Sequence, residues 1–498
     1  MIEFTQKNIN ALANAPVTAV SLIIDGKVCG AISGRVREVV SPIDRSILAH
    51  IPDCGPEDVD RAVQAARSAF ERHSWRGMSP KDRKRIMLRW ASLIEAERLQ
   101  LAVLQTRDQG QPVEHAWTLD LGFAIDAYRW YAEAADKLYN ESIVLDDGLS
   151  AIITRMPLGV VAAVLPWNAP AMIGAWKLGP ALLTGNSVIV KPSEESSLVC
   201  LRIVELALEA GIPSGVVQVL TGDGRVGAAL ANHPGVDCLT FTGSGSTGRS
   251  IMRAAADSNL KRVSLELGGK SANIIMADTR SIADAAAASV GFMFSNQGQV
   301  CEAPSRMLVE RCIFDEMLDA VKVRAAALKI GNPLDLSTEL GPIVNKKQFD
   351  TVCSYIERAE FDGATLQMDG RKAPVPKDGY YLGPTIATNV GEDSTLAQEE
   401  VFGPVLSIFA FDTIDDAIAM ANNSKFGLGA SIWSSNIDTV MHATQRIVAG
   451  NINVNGGSGP LVELPYGGFK ESGFGRDRSF HAIEKYTDLK NIIIKTRP

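Results

Sequence analysis

The sequence predicts an α/β fold in which strands alternate with helices around a parallel sheet. Short β-branched runs are followed by helical patterns rich in Ala and Leu, and each run is closed by Gly, Pro or an acidic residue. The chain has 498 residues, of which 46% are hydrophobic, so it can bury large cores. The predicted strands include Val160–Leu165, Ser187–Val190, Gly215–Leu220, Cys238–Thr242 and Ala272–Met276.

Helical patterns precede and follow these strands. Pro56–Arg72 and Lys81–Thr106 are predicted as two long amphipathic helices. A second α/β stretch runs from about Gly269 to Pro465, with helices expected at Ser281–Asn296, Ile313–Leu328, Lys346–Asp362 and Thr413–Asn422. Asp136–Ile153 and the tail Ile483–Lys495 are predicted as edge strands, which usually find a partner.

Charge and composition exclude several classes of partner. The net charge is -8 and the sequence has no cluster of basic residues, which argues against a nucleic-acid partner and favours a small-molecule partner. The first residues lack a signal-peptide pattern, so we expect a cytoplasmic protein. The apolar stretch Val160–Val190 is interrupted by prolines, and no membrane span is expected. The seven cysteines are scattered, in a pattern that fits neither a disulfide framework nor a metal site.

Cys301 is the cysteine whose surroundings point to chemistry. It follows Gln297, Gly298 and Gln299, which could supply polar donors to a thiolate and open backbone for a substrate. A small buried hydrophobic residue is the alternative, since that is the usual role of cysteine.

The run Phe241-Thr-Gly-Ser-Gly-Ser-Thr-Gly248 follows a strand and opens a helix, matching the pattern G-x-G-x-x-G. Glycines there let backbone N–H groups approach a pyrophosphate, although an ordinary strand–helix turn is equally consistent. Ordinary dinucleotide-fold spacing would make Glu266 the ribose-binding acid. Because Glu266 lies between apolar residues and before two glycines, we interpret it instead as a general base with a raised pKa. A solvated carboxylate at the end of a strand is the alternative.

Other polar residues follow predicted strands or lie in rigid loops. Asn168 lies in the turn Pro166–Pro170, and Lys191 with Glu194 follows the next strand, where ligand sites of open α/β sheets collect. Glu399–Pro404 adds acidic residues and a ring beside Gly and Pro. Turns and charged loops without a ligand are the alternatives.

Together these motifs resemble the aldehyde dehydrogenase superfamily, in that family's order and over nearly the whole chain. The motifs that carry the resemblance are Pro166-Trp-Asn, Lys191-Pro-Ser-Glu, Phe241-Thr-Gly-Ser, Leu265-Glu-Leu-Gly-Gly-Lys, Gly298-Gln-Val-Cys, Glu400-Val-Phe-Gly-Pro and Pro465-Tyr-Gly-Gly-Phe-Lys-Glu-Ser-Gly473. Segments that are mostly framework resemble the enzymes that oxidise γ-glutamyl-γ-aminobutyraldehyde and other ω-amino aldehydes: Arg129–Lys137, Trp176–Ala181, Asp257–Arg262, Gly475–Asp477 and His481–Tyr486.

The resemblance implies a catalytic group of Cys301, Glu266, Asn168 and Lys191. Cys301 would attack the aldehyde, with the oxyanion held by the Asn168 amide and the Cys301 backbone N–H. Glu266 would activate the water that releases the acid. Relatives that transfer the acyl group to coenzyme A typically lack this glutamate. A non-catalytic cofactor-binding or structural protein is a further alternative, which the intact Cys301, Glu266 and Asn168 argue against.

The resemblance also implies NAD as the cofactor, because the Glu194 carboxylate would repel the 2'-phosphate of NADP. NADP is the alternative cofactor. The implied cofactor-binding positions are Leu165, Pro166, Trp167, Asn168, Lys191, Ser193, Glu194, Gly224, Phe241, Gly243, Ser244, Thr247, Leu267, Gly268, Gln348, Glu400 and Phe402.

The implied architecture is a Rossmann-like cofactor domain from residues 1–135 and 154–268, an α/β catalytic domain from 269–465, and a small β oligomerisation element from 136–153 and 480–498. A homo-oligomer is expected, either a dimer or a dimer of dimers.

The implied substrate pocket lacks rings that many relatives carry. Its positions are Ala169, Trp176, Ser295, Glu302, Pro460 and Tyr466. Because Ala169, Ser295 and Pro460 replace bulk, we expect a wide, mostly apolar pocket for a bulky or medium-chain aldehyde. Glu302 and Glu463 could instead recognise an amine, as in the ω-amino aldehyde alternative.

Overall fold

The structure, a computed structural model, describes residues 2–17, 21–146, 148–457 and 459–495. Its first sheet has eight strands with a parallel centre, as the sequence predicts for an α/β fold. The central strands are buried along their whole length, which is typical of a parallel sheet covered on both faces. In spatial order they are Lys27–Cys29, Leu22–Ile24, Val217–Val219, Ser187–Lys191, Val160–Val164, Cys238–Thr242, Arg262–Glu266 and Gly473–Phe474.

A second sheet of seven strands is parallel except at one edge, where Thr365–Met368 runs antiparallel to its neighbour. Its strands in spatial order are Thr365–Met368, Thr385–Thr388, Val405–Phe411, Arg306–Glu310, Ala272–Ile275, Gly429–Trp433 and Asn451–Val454. Two small pairs complete the β structure outside the edge element: Val36–Val40 with Ile47–Pro52, and Phe426–Gly427 with Phe469–Lys470.

Helices cover the sheets and enclose the apolar cores, whose largest buried side chains include Trp75, Trp90, Tyr128 and Phe294. The α-helices are Gln6–Ala13, Pro56–Glu71, Pro80–Ala96, Arg98–Gln109, Val113–His115, Gly122–Glu133, Pro170–Leu183, Leu198–Ala210, Gly224–Asn232, Gly245–Asp257, Ile282–Phe294, Phe314–Ala326, Lys346–Phe361, Thr395–Gln398, Ile414–Asn422 and Ile437–Thr444. A π-helix spans Ala116–Leu121, and 3₁₀ turns span Ser295–Gly298, Arg311–Ile313, Gly370–Lys372 and Phe480–Tyr486. In the described ranges, none of these helices has the length and apolar character needed to cross a membrane.

Two predicted elements differ from the structure. The single helix expected at Lys81–Thr106 is two helices, because Glu97 leaves the helical conformation with φ -101° and ψ 12°. The predicted edge strand Ile483–Lys495 begins only at Thr487, because Phe480–Tyr486 forms a 3₁₀ turn. Both errors arise where a continuous amphipathic or apolar pattern hides a local change of backbone conformation.

The edge element is a three-stranded antiparallel sheet of Thr487–Lys495, Leu149–Pro157 and Glu141–Asp146, in that order. The tail therefore pairs with a strand of its own chain. Ile492, Ile493 and Ile494 on the tail strand remain exposed, as does Val144 on the opposite edge.

Candidate active site

A cavity of about 820 Å³ lies at the carboxyl ends of the central parallel strands, where side chains after successive strands meet. Its wall contains every position that the resemblance assigned to the cofactor, and it also contains Cys301 and Glu266. Ser246, Ser250 and Tyr355 line it too and were not predicted. Ser246 and Ser250 are one helical turn apart on Gly245–Asp257, a spacing that could have identified them. We call this cavity wall the cofactor side.

The helix Gly245–Asp257 begins at the cavity wall. Ser244 caps it by accepting a hydrogen bond from the Thr247 backbone N–H. A Cβ at Gly248 would lie 2.9 Å from the Leu267 side chain, so glycine permits the helix to approach the neighbouring strand. The free N–H groups and positive end of the helix make this wall suitable for a phosphate group.

Lys191 and Glu194 form an ion pair on the same side, with Nζ and Oε2 3.3 Å apart. Burial lowers the pKa of the Lys191 ammonium. The pair offers both a donor and an acceptor, the combination that vicinal ribose hydroxyls require.

Glu400 is held by the opposite wall. Its Oε1 accepts a hydrogen bond of 3.1 Å from the Gly269 backbone N–H, and burial raises the pKa of its carboxyl to about 7. A Cβ at Gly268 would overlap the Glu400 carboxyl group. Of the two glycines in the Leu265–Lys270 motif, Gly268 therefore leaves room for this acidic side chain and Gly269 donates a hydrogen bond to it.

Phe402 has a left-handed backbone conformation, with φ 53°. The Gln348 amide donates to the carbonyls of Val401 and Phe402, at 3.1 and 3.0 Å, and the Phe402 ring meets Trp167 edge-on at 5.1 Å. A strained conformation held by specific hydrogen bonds is a frequent feature of ligand sites.

The loop before Cys301 is strained as well. Asn296, Gln297 and Gly298 all have positive φ, at 46°, 60° and 69°. The Gln297 amide donates to the carbonyls of Gly110 and Pro342, and the Gln299 amide donates to Asn296. These side chains hold the loop, so the expectation that Gln297 and Gln299 supply donors to the thiol is wrong.

The thiol itself contacts Tyr466, with Sγ 3.2 Å from the tyrosine hydroxyl oxygen. Burial raises the pKa of Cys301 to about 12, so the thiol is protonated at neutral pH. A nucleophilic thiolate at this position needs a base or a nearby positive charge. Tyr466 was predicted as a wall of the substrate pocket, and its hydrogen bond to the nucleophile was not.

Asn168 is fixed beside this loop. Its side-chain Nδ2 donates to the Gln299 carbonyl at 2.9 Å, and its backbone carbonyl accepts from the Asn296 amide at 3.0 Å. The amide carries a second hydrogen, and Asn168 lines the cavity. In the described part of the chain, the Cys301 backbone N–H has no acceptor. Two donors therefore remain for an oxyanion.

Glu266 is only 3% exposed, and neither carboxyl oxygen has a hydrogen-bond partner among the described residues. Burial, with the nearby negative charge of Asp477, raises its pKa well above the usual value. A Cβ at Gly467 would lie 2.8 Å from Oε1, so that glycine keeps space open beside the carboxyl. An unpaired buried acid of this kind is a strong candidate for a general base.

A buried charged group lies behind Glu266, in segments that the resemblance identified only as framework. Asp477 accepts from Lys177 Nζ at 3.0 Å and also binds Lys485. Although burial alone would raise the pKa of Asp477, the two lysines hold it below its usual range. Asp477 is thus ion-paired with two lysines, whereas Glu266 has no hydrogen-bond partner among the described residues.

Trp176 and Tyr466 form a wall on the other face of Cys301, with ring centroids 5.4 Å apart. Arg478, which sequence reasoning missed, stacks on both rings. We call these three residues the substrate side. None of the six positions predicted for the substrate pocket lines the cofactor cavity.

The remaining pocket positions are less closely tied to the thiol. Ala169 is buried, Ser295 ends the helix Ile282–Phe294, and Pro460 is half-buried. Glu302 is near enough to Arg478 for the two charges to interact, whereas Glu463 is exposed. Among the described residues, no group of three or more His, Cys, Asp or Glu is arranged to hold a metal ion.

Known proteins resemble the chain over nearly its whole length. The model of the aldehyde dehydrogenase family matches residues 31–492. The NADP/NAD-dependent aldehyde dehydrogenase PuuC of Escherichia coli (strain K12) is 44% identical over 474 residues, covering 95% of each chain. The aminoacetaldehyde dehydrogenase of Pseudomonas aeruginosa is 40% identical over 473 residues, again 95% of each.

Solved structures give the same result. The indole-3-acetaldehyde dehydrogenase AldA of P. syringae, in complex with NAD⁺, has a TM-score of 0.97 and 43% identity, covering 99% of this chain and 100% of its own. The γ-glutamyl-γ-aminobutyraldehyde dehydrogenase of Burkholderia cenocepacia J2315 has a TM-score of 0.96 and 44% identity, with the same coverage. With the strand-end cavity, its cysteine and its unpaired acid, these matches show that the chain belongs to the aldehyde dehydrogenase family.

Proposed function

We propose that this enzyme oxidises an aldehyde to the carboxylic acid with NAD, through a covalent intermediate on Cys301. One observation carries the proposal: Cys301 and the unpaired, buried Glu266 line the same cavity as the residues suited to a dinucleotide. Catalysis of this kind needs a nucleophile, a base and a cofactor site that open to one another.

The Cys301 thiol loses its proton to solvent, the thiolate sulfur attacks the aldehyde carbon, and the new oxyanion accepts hydrogen bonds from the Asn168 amide and the Cys301 backbone N–H. Each good donor of this type contributes roughly 3 kcal/mol. Bound NAD would supply the acceptor for the hydride that leaves this carbon, and Cys301 would then hold the thioester. Glu266 takes a proton from water, which attacks the thioester and releases the acid and the free thiol.

The residues of the cofactor side fit NAD. The helix beginning at Gly245 suits the pyrophosphate, Lys191 and Glu194 suit one ribose, and Glu400 with Phe402 suits the other. Glu194 favours NAD over NADP, because a carboxylate repels a 2'-phosphate. The Escherichia coli relative is NADP/NAD-dependent, so a measurable activity with NADP would be compatible with the proposal.

For the substrate, we propose a bulky or medium-chain aldehyde. Small residues at Ala169, Ser295 and Pro460 leave space that a short aldehyde would not fill. A second candidate is an ω-amino aldehyde, which is favoured by relatives that act on aminoacetaldehyde and γ-glutamyl-γ-aminobutyraldehyde and by the half-buried carboxyl of Glu302. Transfer to coenzyme A is disfavoured, because the water-activating glutamate is present.

The exposed isoleucines of the edge element support a homo-oligomer, either a dimer or a dimer of dimers, in which this sheet meets a second copy. The predicted division into a cofactor domain, a catalytic domain and an oligomerisation element is part of the same proposal. A cytoplasmic location is also part of the proposal, and a relative from Escherichia coli supports it.

A panel of aldehydes tests the proposal, with NADH formation as the readout. Medium-chain and aromatic aldehydes are expected to give a much higher kcat/KM than acetaldehyde, and Ala169→Phe is expected to narrow this preference. Acetaldehyde as the best substrate would contradict the wide pocket. A rate that depends on added coenzyme A would contradict hydrolysis of the thioester.

A further inference from the structure

Arg478 is a buried cation without a counter-ion. It is 6% exposed, its Nε has no hydrogen-bond partner, and it takes part in none of the ion pairs formed by the described residues. Burying most of a guanidinium without an anionic partner is unfavourable, so a side chain left in this state calls for an explanation.

The guanidinium lies beside the nucleophile's own hydrogen-bond partner. Its central carbon is 4.6 Å from the centroid of the Tyr466 ring and 5.0 Å from that of Trp176. The hydroxyl of the same tyrosine is 3.2 Å from Cys301 Sγ. The cation and the thiol therefore contact the same tyrosine, the cation at the face of its ring and the thiol at its hydroxyl. Stacking on two rings favours the cation but satisfies none of its N–H donors.

The backbone holds Arg478 in this position at a conformational cost. Arg478 and Ser479 both have positive φ, at 61° and 50°. Asp477 exchanges two backbone hydrogen bonds with Tyr466, at 2.7 and 2.8 Å, and Ser479 donates to the Val462 carbonyl at 2.7 Å. Two consecutive left-handed residues, neither of them glycine, persist only where the surroundings fix them, and such strain is frequent at ligand sites.

The nearby acids leave the cation free. Asp477 is occupied by Lys177 and Lys485. Glu302 packs against Gly429 and is not within ion-pair distance of Arg478, and burial raises its pKa, which favours the neutral acid. The guanidinium is thus the unmatched charge on the substrate side.

We propose that Arg478 binds an anionic group at the far end of the substrate, so that the preferred aldehyde carries a carboxylate several carbons from the carbonyl. This inference rests on the proposed function and narrows its substrate class to oxo acids. Arg478 acts on specificity, whereas the chemistry remains with Cys301 and Glu266. A planar guanidinium donates paired N–H hydrogen bonds to a carboxylate. The two aromatic rings cannot accept those hydrogen bonds in place of the carboxylate.

The test compares a medium-chain ω-oxo carboxylate with its methyl ester and with the ω-amino aldehyde of the same length. The wild type is expected to prefer the carboxylate. Arg478→Met is expected to lower the ratio of kcat/KM values, carboxylate over ester, by about 10- to 100-fold, mainly through KM, the range for one buried hydrogen bond to a charged group. Arg478→Lys should keep part of the preference. Arg76→Met removes another arginine that stacks on a ring, that of Phe70, and should leave the ratio unchanged.

Equal losses on both substrates, or a wild-type preference for the ester or the ω-amino aldehyde, would overturn the inference. If Arg478→Met does not fold, Arg478→Gln removes the charge while keeping a polar side chain. If the wild type oxidises none of these aldehydes, the proposed function fails. Calorimetry then decides the anion site alone: the matching dicarboxylate should bind Cys301→Ala and not the double variant Cys301→Ala, Arg478→Met.

Discussion

The two sides of Cys301 are built differently. The cofactor side consists of residues that follow parallel strands, with glycines that admit a helix terminus and a carboxyl group. The substrate side consists of large side chains brought together from distant segments, Trp176 from one helix and Tyr466 with Arg478 from the loops after residue 454. Backbone conformation shapes the first, whereas the second depends on stacking and on an unmatched charge.

The difference predicts how each side responds to a substitution. A site made by strand ends depends in part on backbone N–H groups and on the space left by glycines, which most side-chain substitutions leave unchanged. A wall of three side chains changes its chemistry with a single substitution. Cofactor binding should therefore be insensitive to the substrate side, and the predictions below test that independence.

The largest effect is expected for Cys301→Ala. Without the sulfur no thioester can form, so acid formation should fall about 10⁴-fold or more, as for other removed nucleophiles. NAD affinity should stay close to that of the wild type, because the thiol is at the edge of a cavity whose other contacts are unchanged. Fluorescence titration with NADH and product analysis check the two parts. Weakened NAD binding would show that the two sides are coupled.

Glu266→Gln should lower steady-state turnover about 100-fold or more, since a positioned base contributes at least that factor. The first turnover should still release a burst of NADH, after which the enzyme stalls as a thioester detectable by mass spectrometry. A variant with normal turnover would remove Glu266 from the mechanism.

The same residue predicts a pH dependence. Only the ionised carboxylate accepts a proton from water, and burial raises the pKa of Glu266 above its usual value. The wild-type deacylation rate should therefore rise as pH rises through that elevated pKa and level off above it. Rapid-quench measurements across pH should show this rise in the wild type and not in Glu266→Gln. Identical profiles would assign the titration to another group.

Gly268→Ala tests the cofactor side alone. The added methyl group would overlap Glu400, which must move and lose its hydrogen bond from Gly269. NAD affinity should fall about tenfold, the cost of one hydrogen bond to a carboxyl group. The preference among aldehydes should not change. A change in substrate preference with unaltered NAD affinity would reverse the assignment of this wall.

The sequence identifies most of the residues that line the cavity on the cofactor side, because they lie in short motifs whose chemistry is local. Phe241–Gly248, Leu265–Lys270 and Glu400–Phe402 each join a strand end or a tight turn to a polar or glycine position. Their convergence on one cavity follows from parallel topology, in which carboxyl ends share an edge. The α/β class and membership of the aldehyde dehydrogenase family, both predicted from such segments, are confirmed.

The substrate side was predicted less completely. Trp176 and Tyr466 were assigned by position, but Arg478 was not, since no local pattern distinguishes a buried unpaired arginine from a solvated one. That distinction depends on neighbours far away in the chain. The donors expected from Gln297 and Gln299 were wrong for the same reason, because their acceptors are carbonyls of Gly110, Pro342 and a turn that sequence alone does not bring near. Lys177, Asp477 and Lys485 lay within recognised framework segments, yet their pairing behind Glu266 is a property of packing.

The smallest expected effect connects the two sides at the thiol. Tyr466 contributes a hydrogen bond of 3.2 Å to the Cys301 sulfur, and this contact favours the thiolate and lowers the thiol pKa against the larger effect of burial. Tyr466→Phe removes the hydroxyl and keeps the ring that packs against Trp176. The thiolate fraction at a given pH should fall, so alkylation of Cys301 by iodoacetamide should slow about threefold, as expected for a neutral hydrogen bond. Tyr139→Phe, at a 78% exposed position, is the control. Faster alkylation in Tyr466→Phe would mean that the hydroxyl instead stabilises the neutral thiol, and the substrate side would then restrain the nucleophile until an aldehyde displaces that contact.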